Sequence, residues 1–474
     1  MNHTSLSKTR KALFAGLIGV ALVAASCSSD KAAAPAATTK STTATPATDA
    51  TPATNATPAT DAVPATAAVD PTTVATDAPV TTDAAPTGSP IVLALIADAS
   101  GPVAGSQKFA EKATNAWADF VNAKGGLNGH PVTVEFRDIK GDAAASQAAV
   151  DELVAKSPTA WVLMASSTES AIAESLQKSN IPVLGTGYNP AIWGGDIEAF
   201  KLHCSTDPGA PVACALPNAF TITTTFGAVV DEQVFGAQAA GATKLAVAAC
   251  AEVDSCSQAN PVFETTAKAL GLELGTSVKV SASAPDYSAE CIGFVQEGVD
   301  FIQISASGDL GVKLFQDCAD QGYTGIFGAS AGTVTGDLLT TKGITLAGGL
   351  NAFPWWVDDA PVKEFRDAMK DGGLTEAEWA GPGITGLWSS LQLFAKALSN
   401  TKLTATDDIA AADALKAMYT IKDETLGGLI SPITFTEGQR AAARPCFWPY
   451  ILKDGVLTNP LGGLKYQCYP AEAG

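Results

Sequence analysis

Gly328-Ala329-Ser330-Ala331-Gly332 matches the G-x-S-x-G pattern, in which a sharp turn after a strand exposes a serine hydroxyl as a nucleophile. That chemistry needs a histidine base later in the chain. The histidines of this sequence are His3, His130 and His203, and all precede Ser330. A secreted serine hydrolase using Ser330 therefore stays only as a remote alternative. Zinc sites use close Cys and His pairs, and no CxxC or HxxxH spacing occurs. Neither a phosphate loop nor a dinucleotide fingerprint is present. The reading is of no enzyme, with no catalytic residue, metal or cofactor.

Polar hydrogen-bonding residues form the more persistent pattern. Ser100, then Ser166, Ser167 and Thr168, then Gly187, Tyr188 and Asn189 each follow an apolar run, as do Ser307, Asp309 and Ser330 further on. Hydroxyls and free backbone N–H groups at such places hold a carboxylate or another acceptor without altering it. Ser167 and Thr168 also read as plain helix caps, and Asp309 as a solvated one. Trp355, beside Trp356, either stacks on a flat or apolar ligand or packs in the core.

The elements that must position these groups alternate. IVLALIAD (91–98) is a continuous apolar run, as expected of a strand buried on both faces. A helix over 108–123, a strand over 131–138, a helix over 146–156, a strand over 159–166, a further helix and a strand over 181–187 follow. The pattern restarts with strands at 244–250, 300–306 and 324–330, separated by helices. Helix returns after 349, including 385–399, and 448–455 reads as an edge hairpin. This is an α/β chain with two doubly wound parallel-sheet lobes. Ligands of such sheets sit beyond the carboxyl ends of the strands, where the hydroxyl-rich loops fall.

IADASGPVAG, DFVNAKGGLNGHPVTVEFRD and SSTESAIAESLQKSNIPVLGTG, in this order, resemble the leucine/isoleucine/valine-binding protein family of ABC-transporter receptors. In NAKGGLNGHPV, Gly125 and Gly126 can end a helix and Asn128-Gly129 can turn the chain, with His130 at the surface. The resemblance implies two lobes joined by a three-segment hinge, with the ligand cleft between them. Lobe 1 would span 90–218 plus 349–440, and lobe 2 219–348 plus 441–474. It also implies that the loops holding Ser167-Thr168 and Gly187–Asn189 grip a ligand's carboxylate end. Amino-acid-binding members carry an acid where this chain has Ser330, with Asp309 the nearby substitute. The implied function is an extracytoplasmic solute-binding protein of an ABC importer. It would close on a small polar metabolite (amino acid, amide or carboxylate-like) and dock on a membrane permease as a monomer. A ligand sensor for a membrane receptor is the alternative.

The ends of the chain set the compartment. Lys8, Arg10 and Lys11 precede the apolar run 12–25 and Ser26-Cys27, the order of a secretory signal. AASC resembles the bacterial lipobox, so residues 1–26 are read as a signal and Cys27 as the lipidated first residue. An ordinary signal with a chance cysteine is the alternative. The protein would sit on the outer face of the cytoplasmic membrane. Loss of the signal removes three basic side chains and moves the net charge from −19 to −22. So acidic a chain is a poor ligand for nucleic acid. Residues 27–89 are rich in Ala, Thr and Pro and read as a disordered stalk. Eight cysteines remain, and locality suggests the pairs Cys204–Cys214, Cys250–Cys256, Cys291–Cys318 and Cys446–Cys468.

Overall fold

The computed structural model describes residues 85–101, 104–164, 168–187, 190–193, 216–223, 226–252, 256, 259–330, 333–439, 442–443 and 446–468. The first apolar run forms β1 (Ile91–Ala97). Its side chains alternate between two cores, Ile91, Leu93 and Leu95 entering one and Ala94 and Ile96 the other. Both faces are therefore covered, which is why the run has no polar alternation. The chain continues through α1 (Ala110–Ala123), β2 (Val132–Asp138), α2 (Ala143–Val154), β3 (Ala160–Met164), α3 (Glu169–Ser179), β4 (Val183–Gly185), α4 (Pro190–Trp193) and β5 (Ala219–Thr221). These strands form one parallel sheet in the order β2-β1-β3-β4-β5.

The turn between α1 and β2 follows the residue types closely. Asn128 has φ 52°, and Gly125, Gly126 and Gly129 are also left-handed. Asn122 clips the turn shut, its amide donating to Val132 O and its oxygen accepting from Val132 N. His130 corrects the expectation of a surface residue, being 0% exposed. Its Nδ1 lies 2.7 Å from Ser89 O and its Nε2 2.9 Å from Thr404 O. The ring thus joins the segment entering β1 to a loop far along the chain, a long-range contact that local turn chemistry could not reveal.

After β5 the chain forms α5 (Phe226–Ala239), β6 (Lys244–Cys250), α6 (Asn260–Ala269), β7 (Glu273–Leu274), β8 (Val278–Val280), α7 (Ser288–Glu297), β9 (Phe301–Ser305), α8 (Gly308–Asp320), β10 (Ile326–Ala329), α9 (Gly336–Leu339) and β11 (Leu346–Leu350). It then returns through α10 (Ala360–Asp371), α11 (Glu376–Trp379), α12 (Pro382–Ser399) and α13 (Ala411–Met418) to β12 (Ile433–Thr434), β13 (Ala442–Ala443), β14 (Cys446–Lys453), β15 (Val456–Thr458) and β16 (Gln467–Cys468). The second large sheet runs β15-β14-β11-β10-β9-β6-β7, with β8 on β6 and β16 on β14. Its β6, β9, β10 and β11 are parallel, and β14 joins β11 antiparallel. The C-terminal hairpin is present, but β14 is an interior strand paired with both β11 and β15.

The strand pairings locate where the chain passes between the two sheets. β5 pairs with β4, so the first crossing follows Thr221. β11 stays in the second sheet to Leu350, so the second crossing follows 350. The third lies between β13, which pairs with β12, and β14. Three disulfides join Cys250–Cys256, Cys291–Cys318 and Cys446–Cys468, with Cα atoms 5.5, 4.8 and 3.9 Å apart. Each stays within lobe 2. Cys204, Cys214, Cys27 and the stalk up to residue 84 lie outside the described residues.

Candidate functional site

Loops that follow β1, β9 and β10 border a common recess and carry polar groups. At the end of β1, the Ser100 hydroxyl donates to Asp138 Oδ2 (2.5 Å), and the N–H groups of Ala99, Ser100 and Lys140 donate to Asp138 Oδ1. Burial works to raise the Asp138 pKa, and these hydrogen bonds overcome it and hold the group below the usual carboxylate range. Ser100 is thus oriented by a fixed anion. Thr168 is buried, with its hydroxyl 2.8 Å from that of Ser146. Gly187 has a steric reason to lack a side chain. A methyl group there would fall 2.0 Å from Trp193 Nε1 and 2.5 Å from Glu169 Oε1. Those two side chains are hydrogen-bonded at 3.0 Å, and the Gly187 carbonyl accepts from the hydroxyls of Thr221 and Thr223. Ser166, Ser167, Tyr188 and Asn189 lie outside the described residues.

From lobe 2, Ser307 caps α8, its hydroxyl accepting from Leu310 N. Asp309 follows in the first helical turn, exposed, with no hydrogen-bond or ion-pair partner among the described residues. The Ser330 hydroxyl lies 2.8 Å from that of Thr333. His130, whose ring nitrogens are both engaged in lobe 1, offers it no base.

Two recesses open between the lobes and share Gly101 and Asp309. One, of 410 Å³, is walled by Ser100–Gly101 and Ala104–Ser106 with Lys108 and Phe109 after β1, by Val334–Asp337 of lobe 2, and by Ala377, Glu378, Gly381 and Ile384. The other, of 570 Å³, is lined by Glu252, Ser283, Tyr287, Ser307 and Lys313. Glu252 accepts from the Ser281 hydroxyl and Ala282 N. Burial opposes these bonds, which still hold its carboxyl low. The Lys313 ammonium donates to Ala284 O and lies 5.0 Å from the Tyr287 ring centre. The charges of this wall are thus largely satisfied internally, whereas Asp309 faces both recesses unpaired. Glu252 follows β6, and the strand-end rule applied to that strand would have found it. Tyr287, Lys313, Thr335 and Glu378 had no such signal, because distant elements bring them in.

Trp355 does not line either recess. It is 1% exposed and meets Trp356 edge-on at 4.9 Å, so the packing alternative replaces the stacking one. Ser100 and Asp309 reach the 410 Å³ recess, and Ser307 and Asp309 the other.

A family model described as periplasmic binding protein matches residues 90–455, most of both lobes. The chain belongs to the periplasmic binding protein family. Its members bind solutes. Solved structures agree in fold. A fatty acid ABC transporter substrate-binding protein from Thermomonospora curvata is 18% identical, with TM-score 0.64, covering 82% of this chain and 95% of its own. A leucine-binding protein from Thermotoga maritima is 15% identical, with TM-score 0.60 and coverages of 78% and 97%. The branched-chain amino acid transporter substrate-binding protein from Streptococcus pneumoniae, in complex with isoleucine, is 15% identical, with TM-score 0.60 and coverages of 80% and 99%. No curated protein sequence matches this periplasmic binding protein. Among its described residues, no helix is long and apolar enough to cross a membrane.

Proposed function

We propose that this periplasmic binding protein is the solute-binding lipoprotein of an ABC importer, trapping a small polar metabolite between its lobes by hinge closure. The observation that carries the reading is the convergence of strand-end loops from both sheets on two recesses that share Gly101 and Asp309. Their volumes suit a small molecule. Lipid on Cys27 holds the monomer at the outer face of the cytoplasmic membrane, and a permease receives the ligand. Ser100, Ser166, Ser167, Thr168, Gly187, Tyr188 and Asn189 grip from lobe 1, and Ser307, Asp309 and Ser330 from lobe 2.

The ligand class follows from charge. Asp309 is the one unpaired carboxylate common to both recesses among the described residues, so a ligand with an ammonium or amide donor is favoured there. The neighbours described as binding fatty acid, leucine and isoleucine widen the range of probes.

The test is thermal unfolding of the mature protein with isoleucine, acetamide, succinate and palmitate. A ligand of the folded form at 100 times its Kd adds about 2.7 kcal/mol and raises the Tm. A shift that Asp309→Asn abolishes supports the ammonium or amide reading. Conversion of any probe to a product would overturn the assignment. Cys27→Ala should release the protein from membranes into the soluble fraction.

A further inference from the structure

The lobes touch at a seam beside the 410 Å³ recess. α9 of lobe 2 meets α11 of lobe 1 there through backbone. A methyl group at Gly336 would fall 2.5 Å from Ala377 O and 2.9 Å from Ala377 Cα. One at Gly381 would fall 2.8 Å from Val334 O. The approach is possible only because these positions are glycine.

The two sides are built differently from the seam itself. α11 is a fixed seat on lobe 1. Glu378 closes its capping box with Thr375 and accepts both contacts from Lys112 of α1, at 3.0 and 3.1 Å. Trp379 is 1% exposed and packs on Phe365. α9 is equally well held in lobe 2, capped by Thr335 and anchored by Leu338 at 0% exposure. Between Val334–Leu339 and Ala377–Gly381, by contrast, no hydrogen bond or ion pair forms among the described residues. The contact is van der Waals only.

We infer that the α9–α11 seam is a closure latch: a rigid seat and a rigid plug that meet without polar bonds, with Gly336 setting how closely the lobes approach. This rests on the reading that the lobes close on a ligand. Close packing gives a small attraction that disappears once the surfaces part, and no polar group has to find a new partner on opening. Such a contact populates the closed arrangement before ligand arrives and leaves it cheap to open. Added bulk at the seam forces the lobes apart, because packed backbone cannot give way as a flexible side chain would.

The latch is tested without ligand, so its failure is separable from failure of the solute-binding reading. Dyes are placed through noncanonical amino acids at Lys342 and Glu376, exposed positions flanking the seam, in the full mature chain. Single-molecule distances should show a short and a long population. Gly336→Ala should shift the balance toward the long one, and Gly336→Val further, by about tenfold, or about 1.4 kcal/mol. Gly293→Val, at a helical glycine with open space around it, should match wild type. The alanine variant keeps the test available should valine disturb folding. A wild type showing only the long distance, or Gly336 variants indistinguishable from wild type, would overturn the latch.

Discussion

The two lobes share a plan but are held together differently. Lobe 1 has an all-parallel sheet and no disulfide among the described residues. Its added helices pack through an aromatic cluster in which Phe365 contacts Phe353, Trp379 and Trp388 at 5.3–5.6 Å. Lobe 2 has a mixed sheet with short outer strands, and all three described disulfides. It also buries three consecutive polar residues of α5, namely Asp231, Glu232 and Gln233. Large side chains can close a core by area alone. A lobe that carries buried acids and short strands gains more from covalent staples, which an exported chain can keep oxidised.

The largest expected effect breaks lobe 1. Phe365→Ala should cost about 4 kcal/mol, read by chemical denaturation. It should expose lobe 1 first, with hydrogen exchange rising in α10 to α12 and not in β6 to β11. Next, replacing Cys291 and Cys318 together by serine should cost about 3 kcal/mol and show the reverse exchange pattern. If both changes accelerate exchange uniformly, the lobes are one cooperative unit and the contrast fails.

The buried acids of α5 sharpen the comparison through pH. Burial pushes the Asp231 carboxyl up to about 6, against the lowering effect of the Thr266 hydroxyl that donates to it. Burial, and then Asp231 itself, push Glu232 well above its ordinary value. A carboxyl raised on folding binds more proton in the folded state, so stability falls as pH rises through the window from 3.8 to about 6. Asp231→Asn should therefore stabilise the protein above pH 6 by on the order of 3 kcal/mol, with no difference below about pH 3.8. Denaturation midpoints measured from pH 3.5 to 8 check the sign. Equal stability of the two proteins at pH 8 would contradict it.

A smaller change is expected at the seat of the seam. Lys112→Met removes a half-exposed ion pair to Glu378, for which about 0.5 kcal/mol is the expected cost. The loss should shrink in 1 M salt, where such pairs are screened.

Much of this organisation was legible in single residues. The apolar run at 91–97 announced a strand buried on both faces, because neither face tolerates a polar side chain. Gly125, Gly126, Asn128 and Gly129 announced a helix stop and a turn, because few other residues adopt left-handed backbone cheaply. Cys250, Cys291 and Cys446 each pair with the next cysteine, since short loops close easily. The same local reasoning misplaced His130 and left Trp355 open between stacking and packing. A histidine in a turn is buried here only because Ser89 and Thr404 arrive from elsewhere. Trp355 is buried edge-on against Trp356, and Arg366 of α10 donates to its carbonyl. Thr335 escaped notice for the same reason as His130, whereas Glu252 directly follows β6 and the strand-end rule would have reached it.

By itself, then, the sequence determined the repeating strand–helix units, their turns, the neighbour-paired cysteines of lobe 2 and the membership of the family, because each follows from contacts among residues near in the chain or from an ordered series of motifs. Tertiary structure alone decided which strand ends meet, that Asp309 stands unpaired between two recesses, and that Gly336 rests on Ala377. Those depend on the angle between two lobes built from four separated stretches of chain, and no local preference encodes that angle.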